Sequence, residues 1–298
     1  MASRMALQSY VVRIQDIRRE IEGNGAGPGI WSATARFLKS VQHRLVRPPR
    51  IAIIGESNTG KTSLANRLLG HELLITDIIN NTRAPILIRH ADVAGLSTIA
   101  ADGTREPISH DTVGALGAGD FTSLELGLPL PALRRFEIID TPGVSVLGDN
   151  RDRLAFVCRQ ADLAIWCTLA TQAWRASERE LWLGAGERLR SSSLLAVTHA
   201  DALTEFERAR VGERLRREAA PLFFDIAMVA LAESPSTVAA TANGDAAHDP
   251  LIAAFRGKID AALVKVEERR LNGARRAVQR FELRLDGPGP IGHLQTAS

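Results

Sequence analysis

The sequence predicts an α/β fold, with helices layered on both faces of a mostly parallel central sheet and further helices at each end of the chain. Three observations predict it. Short apolar runs rich in Ile, Val and Leu recur through the middle of the chain, at 51–54, 85–89, 136–139, 162–168, 193–198 and 225–230. Helix-length amphipathic stretches separate many of them, at 60–69, 151–160, 176–190 and 204–219, with a longer one at 250–283. The apolar runs are continuous rather than alternating, which is the pattern of strands buried on both faces.

Taken in order, residues 5–22 place Leu7, Val11, Ile14, Ile17 or Arg18, and Ile21 at steps of three and four, one amphipathic helix. The glycine-rich stretch 23–29 breaks it. A second helix starts near Ser32, with Phe37 or Leu38, Val41 and Leu45 on one face, and Pro48-Pro49 closes it. From Arg50 the strand–helix alternation begins. Residues 91–132 interrupt it; they are long for a plain loop and are read as holding two short edge strands. Residues 287–298 read as a disordered tail. The expected organisation is therefore 1–47 helical, 48–240 the α/β domain, 250–286 a helix packing with the N-terminal helices, and 287–298 tail.

Composition narrows the function classes. The 298 residues are 45% hydrophobic and 24% charged, ordinary for a folded soluble chain. No apolar run reaches the roughly 18 residues of a membrane-spanning helix. Aromatics are 5% of the chain, which argues against a base-stacking nucleic-acid surface. The net charge of +3 dictates no partner. Cys158 and Cys167 cannot by themselves make a four-ligand zinc site, and both read as buried thiols of a reducing compartment. The N-terminus is too interrupted by charge for a secretory signal, so a cytoplasmic chain is expected.

Three strand ends carry chemistry. Gly55-Glu56-Ser57-Asn58-Thr59-Gly60-Lys61-Thr62 fits G-x-x-x-x-G-K-[ST] between a buried strand and a helix. Such a loop aims backbone amides and a helix N-terminus at a phosphate. Lys61 reaches the β- and γ-phosphates, and Thr62 offers its hydroxyl to Mg²⁺. Asp140-Thr141-Pro142-Gly143 follows the strand at 136–139, where Asp140 is expected to hold Mg²⁺ through water and the Gly143 amide to sense the γ-phosphate. Val197-Thr198-His199-Ala200-Asp201 ends a third. An aspartate there accepts from guanine's ring N–H and exocyclic amine, a donor pair that adenine lacks.

The ordered set GESNTGKT, Thr82, DTPG and THAD resembles the GTPase superfamily. Its finer texture resembles bacterial dynamin-like GTPases: GESNTGKTSLANRLLG at 55–70, NTRAP at 81–85, LPLP at 128–131 and ATQAW at 170–174. The resemblance covers about residues 30–235. It implies a P-loop GTPase three-layer fold, with the end helices paired into a small bundle. It implies a GTP hydrolase binding GTP or GDP and Mg²⁺ through Glu56, Ser57, Asn58, Thr59, Gly60, Lys61, Thr62, Ser63, Asp140, Gly143, Thr198, His199, Asp201 and Ala230. Thr62, Thr82 and Asp140 are the metal residues. Lys61, Thr82 and Asn58 are the catalytic ones: Thr82 orients the attacking water, and Asn58 matches a position that helps hold K⁺ or Na⁺.

Departures from the pattern qualify the hydrolysis. Ser57 stands where dynamins carry a glutamine, and Val144 stands where Ras-type enzymes carry one, so neither polarises water. His199 replaces a lysine that packs on guanine, and Val229-Ala230-Leu231 lacks the usual serine while keeping the alanine whose amide contacts guanine O6. The resemblance implies a dynamin-like switch or a head that dimerises with nucleotide, with itself or with a partner dynamin-like chain, in a short form without a full stalk. The alternatives are a nucleotide-dependent interaction module with little hydrolysis, or an Era-type RNA- or ribosome-associated GTPase. Nucleic acid is the less expected partner, since the basic C-terminal helix is the sole candidate surface. That helix carries Arg256, Lys258, Lys265, Arg269, Arg270, Arg275, Arg276 and Arg280 opposite its apolar stripe. It reads as a solvated face, or as a peripheral membrane contact.

Overall fold

The computed structural model describes residues 2–23, 30–70, 84–109, 112–113, 121–141, 150–231 and 250–285. The chain divides into two compact units, 49–264 and 1–48 with 265–298. Thr82, Gly143, Val144 and the tail 287–298 lie outside the described residues.

The larger unit is an α/β fold on a nine-stranded sheet. Its strands are β1 (Arg50–Gly55), β2 (Ile86–His90), β3 (Gly95–Ile99), β4 (Arg105–Ile108) and β5 (Ser123–Leu128), then β6 (Glu137–Asp140), β7 (Leu163–Leu169), β8 (Leu194–Thr198) and β9 (Asp225–Met228). The order across the sheet is β4-β3-β5-β2-β6-β1-β7-β8-β9. The pairs β6–β1, β1–β7, β7–β8, β8–β9 and β2–β5 are parallel; β2–β6, β5–β3 and β3–β4 are antiparallel. The sheet is thus mixed and mostly parallel, as expected.

The apolar runs became strands because neither face of the central sheet meets water. Ile51, Ala52, Ile53 and Ile54 are all fully buried. A fully buried Ile side chain contributes roughly 1.5–3 kcal/mol. Helices α3 (Lys61–Leu69), α4 (Asn150–Gln160), α5 (Ala176–Leu183), α6 (Glu187–Arg190) and α7 (Glu205–Glu218) complete the unit, with the first part of α8 (Pro250–Leu285). The predicted helix 176–190 is two helices, since Gly184-Ala185-Gly186 ends α5 and starts α6. Residues 91–132 hold the expected hairpin β3–β4 at the sheet edge, and also β5, an interior strand that the apolar pattern does not signal.

On one face, Ala52, Ile54, Trp166 and Val197 pack against Leu154, Val157, Leu181 and Leu215. Trp182 stacks on Phe223 with centroids 4.8 Å apart, and Trp166 meets Trp182 edge-on at 5.6 Å. This aromatic cluster anchors the turn that follows β7, where Trp174 takes a left-handed φ of 61°.

The smaller unit contains α1 (Ala2–Gly23), α2 (Ile30–Val46) and the end of α8. Leu7, Val11, Ile14, Ile17 and Ile21 of α1 bury against Leu38 and Leu45 of α2 and Ala274, Val278 and Phe281 of α8. The stripe read from the sequence resolves to Ile17 rather than Arg18, and to Leu38 rather than Phe37. An Arg13–Glu282 ion pair at 2.8 Å ties α1 to α8 at the surface. Among the described residues, no helix is long and apolar enough to cross a membrane.

Candidate functional site

Parallel pairing brings the chemistry together. Ile53 of β1 is in register with Asp140 of β6, and Gly55 of β1 with Cys167 of β7. Cys167 and Thr168 of β7 pair with Ala196 and Val197 of β8. The carboxyl ends of β1, β6, β7 and β8 therefore share one edge, where open α/β sheets bind ligands.

Residues 56–60 wrap between β1 and α3. Asn58 and Gly60 adopt left-handed φ values of 63° and 74°, which turns the loop back on itself. Gly55 is required by close approach, since a Cβ there would lie 2.4 Å from the Cys167 carbonyl oxygen. Gly60 is favoured by its left-handed φ, and a Cβ there would press on the Leu231 side-chain tip at 2.4 Å and on His199 Nε2 at 3.2 Å. No side chain caps α3, so its first-turn amides face the loop's interior as a phosphate site needs. Ser57, Asn58 and Ser63 are exposed; Glu56, Gly60 and Thr62 are half-buried; Thr59 and Lys61 are buried.

The buried charges set the electrostatics. Lys61 Nζ donates to the Glu56 carbonyl at 2.6 Å, and Thr59 Oγ1 donates to the same oxygen at 2.8 Å. Burial lowers the Lys61 ammonium's pKa, with Cys167 and Asp140 opposing that shift. Asp140 is 2% exposed, and among the described residues neither carboxylate oxygen has a hydrogen-bond partner of ordinary geometry. Burial pushes its pKa up to about 6, while Lys61, the Thr141 N–H and the Thr62 hydroxyl pull the other way. Thr141 itself donates to the Ile53 carbonyl at 2.8 Å and locks β6 to β1. Burial likewise pushes the Cys167 thiol up to about 12, so it is an inert core group beneath the loop.

The Lys61 ammonium suits phosphate oxygens, and the neighbouring orphaned carboxylate beside a threonine hydroxyl is an oxygen set that fits Mg²⁺. That ion keeps most of its waters and takes one or two protein oxygens beside phosphates. The described residues include no cluster of three or more His, Cys, Asp or Glu side chains, the arrangement of an all-protein metal cage.

The end of β8 is bonded to the same loop. Thr198 Oγ1 lies 2.9 Å from the Thr59 carbonyl and 3.0 Å from the Thr168 carbonyl. Asp201 Oδ1 accepts from the Leu231 N–H at 2.9 Å, and the Ala200 N–H donates to Val229 O at 3.1 Å. Thr198 is thereby held against Thr59, and His199 and Leu231 lie against Gly60, with Asp201 bonded to Leu231 and Ala230 next to it in sequence. His199 sits at a left-handed φ of 54°. Asp201 is exposed and spends one lone pair on Leu231, which leaves the rest of its carboxylate for a ligand.

A model of the GTPase family described as 50S ribosome-binding GTPase matches residues 50–198. The chain belongs to this P-loop GTPase family. Its GTPase domain is homologous to those of bacterial dynamins. It is 28% identical over 206 residues to dynamin-like protein 2 of Campylobacter jejuni, covering 67% of this chain and 33% of that protein. It is 30% identical over 117 residues to the isoniazid-induced protein IniC of Mycobacterium tuberculosis, covering 37% of this chain and 24% of that protein. The solved structure of an oligomerised bacterial dynamin pair shares the fold, with a TM-score of 0.60 at 19% identity over 87% of this chain and 42% of that one. The chain thus spans a third or less of the length of these two relatives.

The structure also joins residues that no motif contains. Glu178 is buried and accepts from Trp166 Nε1 at 3.2 Å, Thr168 Oγ1 at 2.9 Å and the Arg175 N–H at 2.8 Å. Its signal was legible as the acidic third residue of a helix start.

Proposed function

We propose that this GTPase domain binds GTP with Mg²⁺, hydrolyses it to GDP and phosphate, and works as a dynamin-like switch or dimerising head. The observation that carries the reading is the Thr198 tether to Thr59. It fixes a guanine-selecting aspartate and a phosphate loop as parts of one rigid corner. The distance between base and phosphates is then built in before nucleotide arrives, so little ordering cost remains on binding.

The residues divide the work. Asp201 accepts from guanine, the Ala230 amide faces O6, and the His199 ring takes the stacking place beside Gly60. The amides of Glu56, Ser57, Asn58, Thr59 and Gly60 and the first turn of α3, with Ser63, surround the phosphates. Lys61 leaves the Glu56 carbonyl for the β- and γ-phosphates. Thr62 and Asp140 hold Mg²⁺, joined by Thr82; bound Mg²⁺ supplies charge neutralisation on the phosphate oxygens. Thr82 orients the water, Gly143 senses the γ-phosphate, and Asn58 helps hold K⁺ or Na⁺. No side chain of this set is a strong base, so the rate depends on positioning and electrostatics. The expected partner is a second copy or another dynamin-like chain, consistent with the oligomerised pair whose fold it shares. The exposed Arg275, Arg276 and Arg280 of α8 are the residues for a peripheral membrane contact, whereas Arg256, Lys258 and Arg270 bond to Arg67 O, Asp225 and Arg47 O.

The test is phosphate release from GTP and from ATP with Mg²⁺, in K⁺ and in Na⁺, across protein concentration. GTP-selective release is expected, falling by about a hundredfold or more in Lys61→Ala. Rates per molecule that rise with concentration support the dimerising head, and constant rates argue against it. Release from ATP as fast as from GTP would overturn the guanine assignment. Bound GTP with no release in any cation would leave a binding module without hydrolysis.

A further inference from the structure

The phosphate loop carries one acidic side chain, Glu56, directly after β1. A loop of this kind holds polyphosphate by positive potential. A carboxylate one residue into it works against that potential. Glu56 is not left to solvent: it forms an ion pair with Arg175 and accepts from Ser177 Oγ at 3.3 Å.

Arg175 reaches Glu56 from a segment that is fixed independently. Its N–H donates to the buried Glu178, which also takes the Thr168 hydroxyl. The Trp174 N–H donates to Thr168 Oγ1 at 3.0 Å. The Thr168 carbonyl meets the Thr198 hydroxyl, which also meets Thr59 O. A ring of bonds thus leaves the phosphate loop at Glu56 and returns to it at Thr59. The ring uses the backbone of Arg175 and leaves its guanidinium for Glu56 alone among the described contacts. The guanidinium is 43% exposed, so the pair contributes little to folding, and its influence is local potential.

We propose that Arg175 is the counter-charge of the phosphate loop: it cancels Glu56, so that the loop meets a nucleoside triphosphate with net positive potential. Arg175 is a positioning residue that sets triphosphate affinity through Glu56 and stays out of bond breaking. This rests on the reading of the loop as a GTP site.

The two halves of the pair then act with opposite sign on binding, which a merely structural bond cannot do. The probe is fluorescent mant-GTP with Mg²⁺, titrated into the full chain at about 50 mM and about 500 mM KCl. At low salt, Glu56→Gln is expected to tighten binding about fivefold, and Arg175→Ala to weaken it about tenfold. Arg175→Lys keeps affinity within about threefold of the parent, and the Glu56→Gln/Arg175→Ala double variant within about twofold. All of these differences shrink at high salt. Two single variants that both weaken binding, with a double variant no better, overturn the proposal and leave a packing bond. If Arg175→Ala fails to fold, Glu56→Gln decides: tightening supports the counter-charge, and unchanged or weaker binding overturns it. If the parent chain melts cooperatively yet binds mant-GTP no better than Lys61→Ala, the GTP-site reading itself falls, and the counter-charge with it.

Discussion

Among the buried carboxylates of the sheet unit, Glu178 and Asp140 have opposite surroundings. Glu178, 1% exposed, receives hydrogen bonds from three donors. Asp140, 2% exposed, has none of ordinary geometry among the described residues. A buried charge that is fully bonded is architecture, since the protein alone offsets its desolvation. A buried charge left short of partners lowers the stability of the empty protein and is expected where a ligand completes the site. Asp140 ends β6, and Glu178 reaches from α5 to Trp166 and Thr168 of β7, on the other side of β1. The contrast therefore separates a carboxylate that the fold itself satisfies from one that the proposed nucleotide site would satisfy.

Removing the bonded carboxylate is the largest expected effect. Glu178→Ala leaves the Trp166 indole, the Thr168 hydroxyl and the Arg175 amide without their acceptor. We expect a loss of about 3–5 kcal/mol in urea unfolding. A loss below about 1 kcal/mol would erase the contrast with Asp140.

The orphaned carboxylate should respond in the other direction. Burial pushes the Asp140 pKa up to about 6 from the ordinary aspartate value of 3.8, so the native state binds the proton more tightly than the unfolded chain. The stability this lends is fully present below the unfolded value and is lost as pH rises through 6. At pH 7.5 the empty protein therefore carries a penalty of about 3 kcal/mol that Asp140→Asn relieves. The nucleotide-free variant should unfold at higher urea than the parent at pH 7.5, with the gain fading below about pH 4. In the presence of Mg²⁺ and GTP the order should invert, because the amide is a poorer ligand. A variant no more stable than the parent at pH 7.5 would mean that Asp140 has partners after all.

How much of this was legible in the sequence follows the same division. The strands β1, β7 and β8 were readable because each carries a continuous apolar run buried on both faces, and β6 because Phe136, Ile138 and Ile139 lead directly into Asp140. The phosphate loop, Asp140 and Thr198–Asp201 were readable because each is contiguous and sits at the end of such a run. The interior strand β5 was not. It carries Glu125, a charge that composition assigns to the surface, and burial is tolerated only because Arg89 and Arg105 approach its two oxygens at 2.6 and 3.0 Å. Those partners are remote in sequence, and Gly127 further dilutes the apolar signal. The Glu178 network was hidden for the same reason: Thr168, Trp174 and Thr198 meet only after β7 pairs with β8 and the chain turns at Trp174. Its helix-start signature could have been read, but what it holds in place could not.

The smallest effect sits on the boundary between the two regions. Thr198 is buried, and its single hydroxyl proton lies within reach of both Thr59 O and Thr168 O. Thr198→Val keeps the shape and deletes the donor. The expected loss is about 1 kcal/mol of stability, the net worth of one such bond, together with about a threefold loss of mant-GTP affinity. Thr198→Ser should restore both. Stability is read in urea and affinity by titration, so the two losses can be separated. A variant that loses stability and keeps its affinity puts the tether with Glu178, as architecture that the nucleotide never senses. A variant that loses affinity at unchanged stability puts it with Asp140, as a bond whose value appears only when base and phosphates must be held at a fixed distance. Losses in both, in the proportion expected, mean that one hydroxyl serves the fold and the site together.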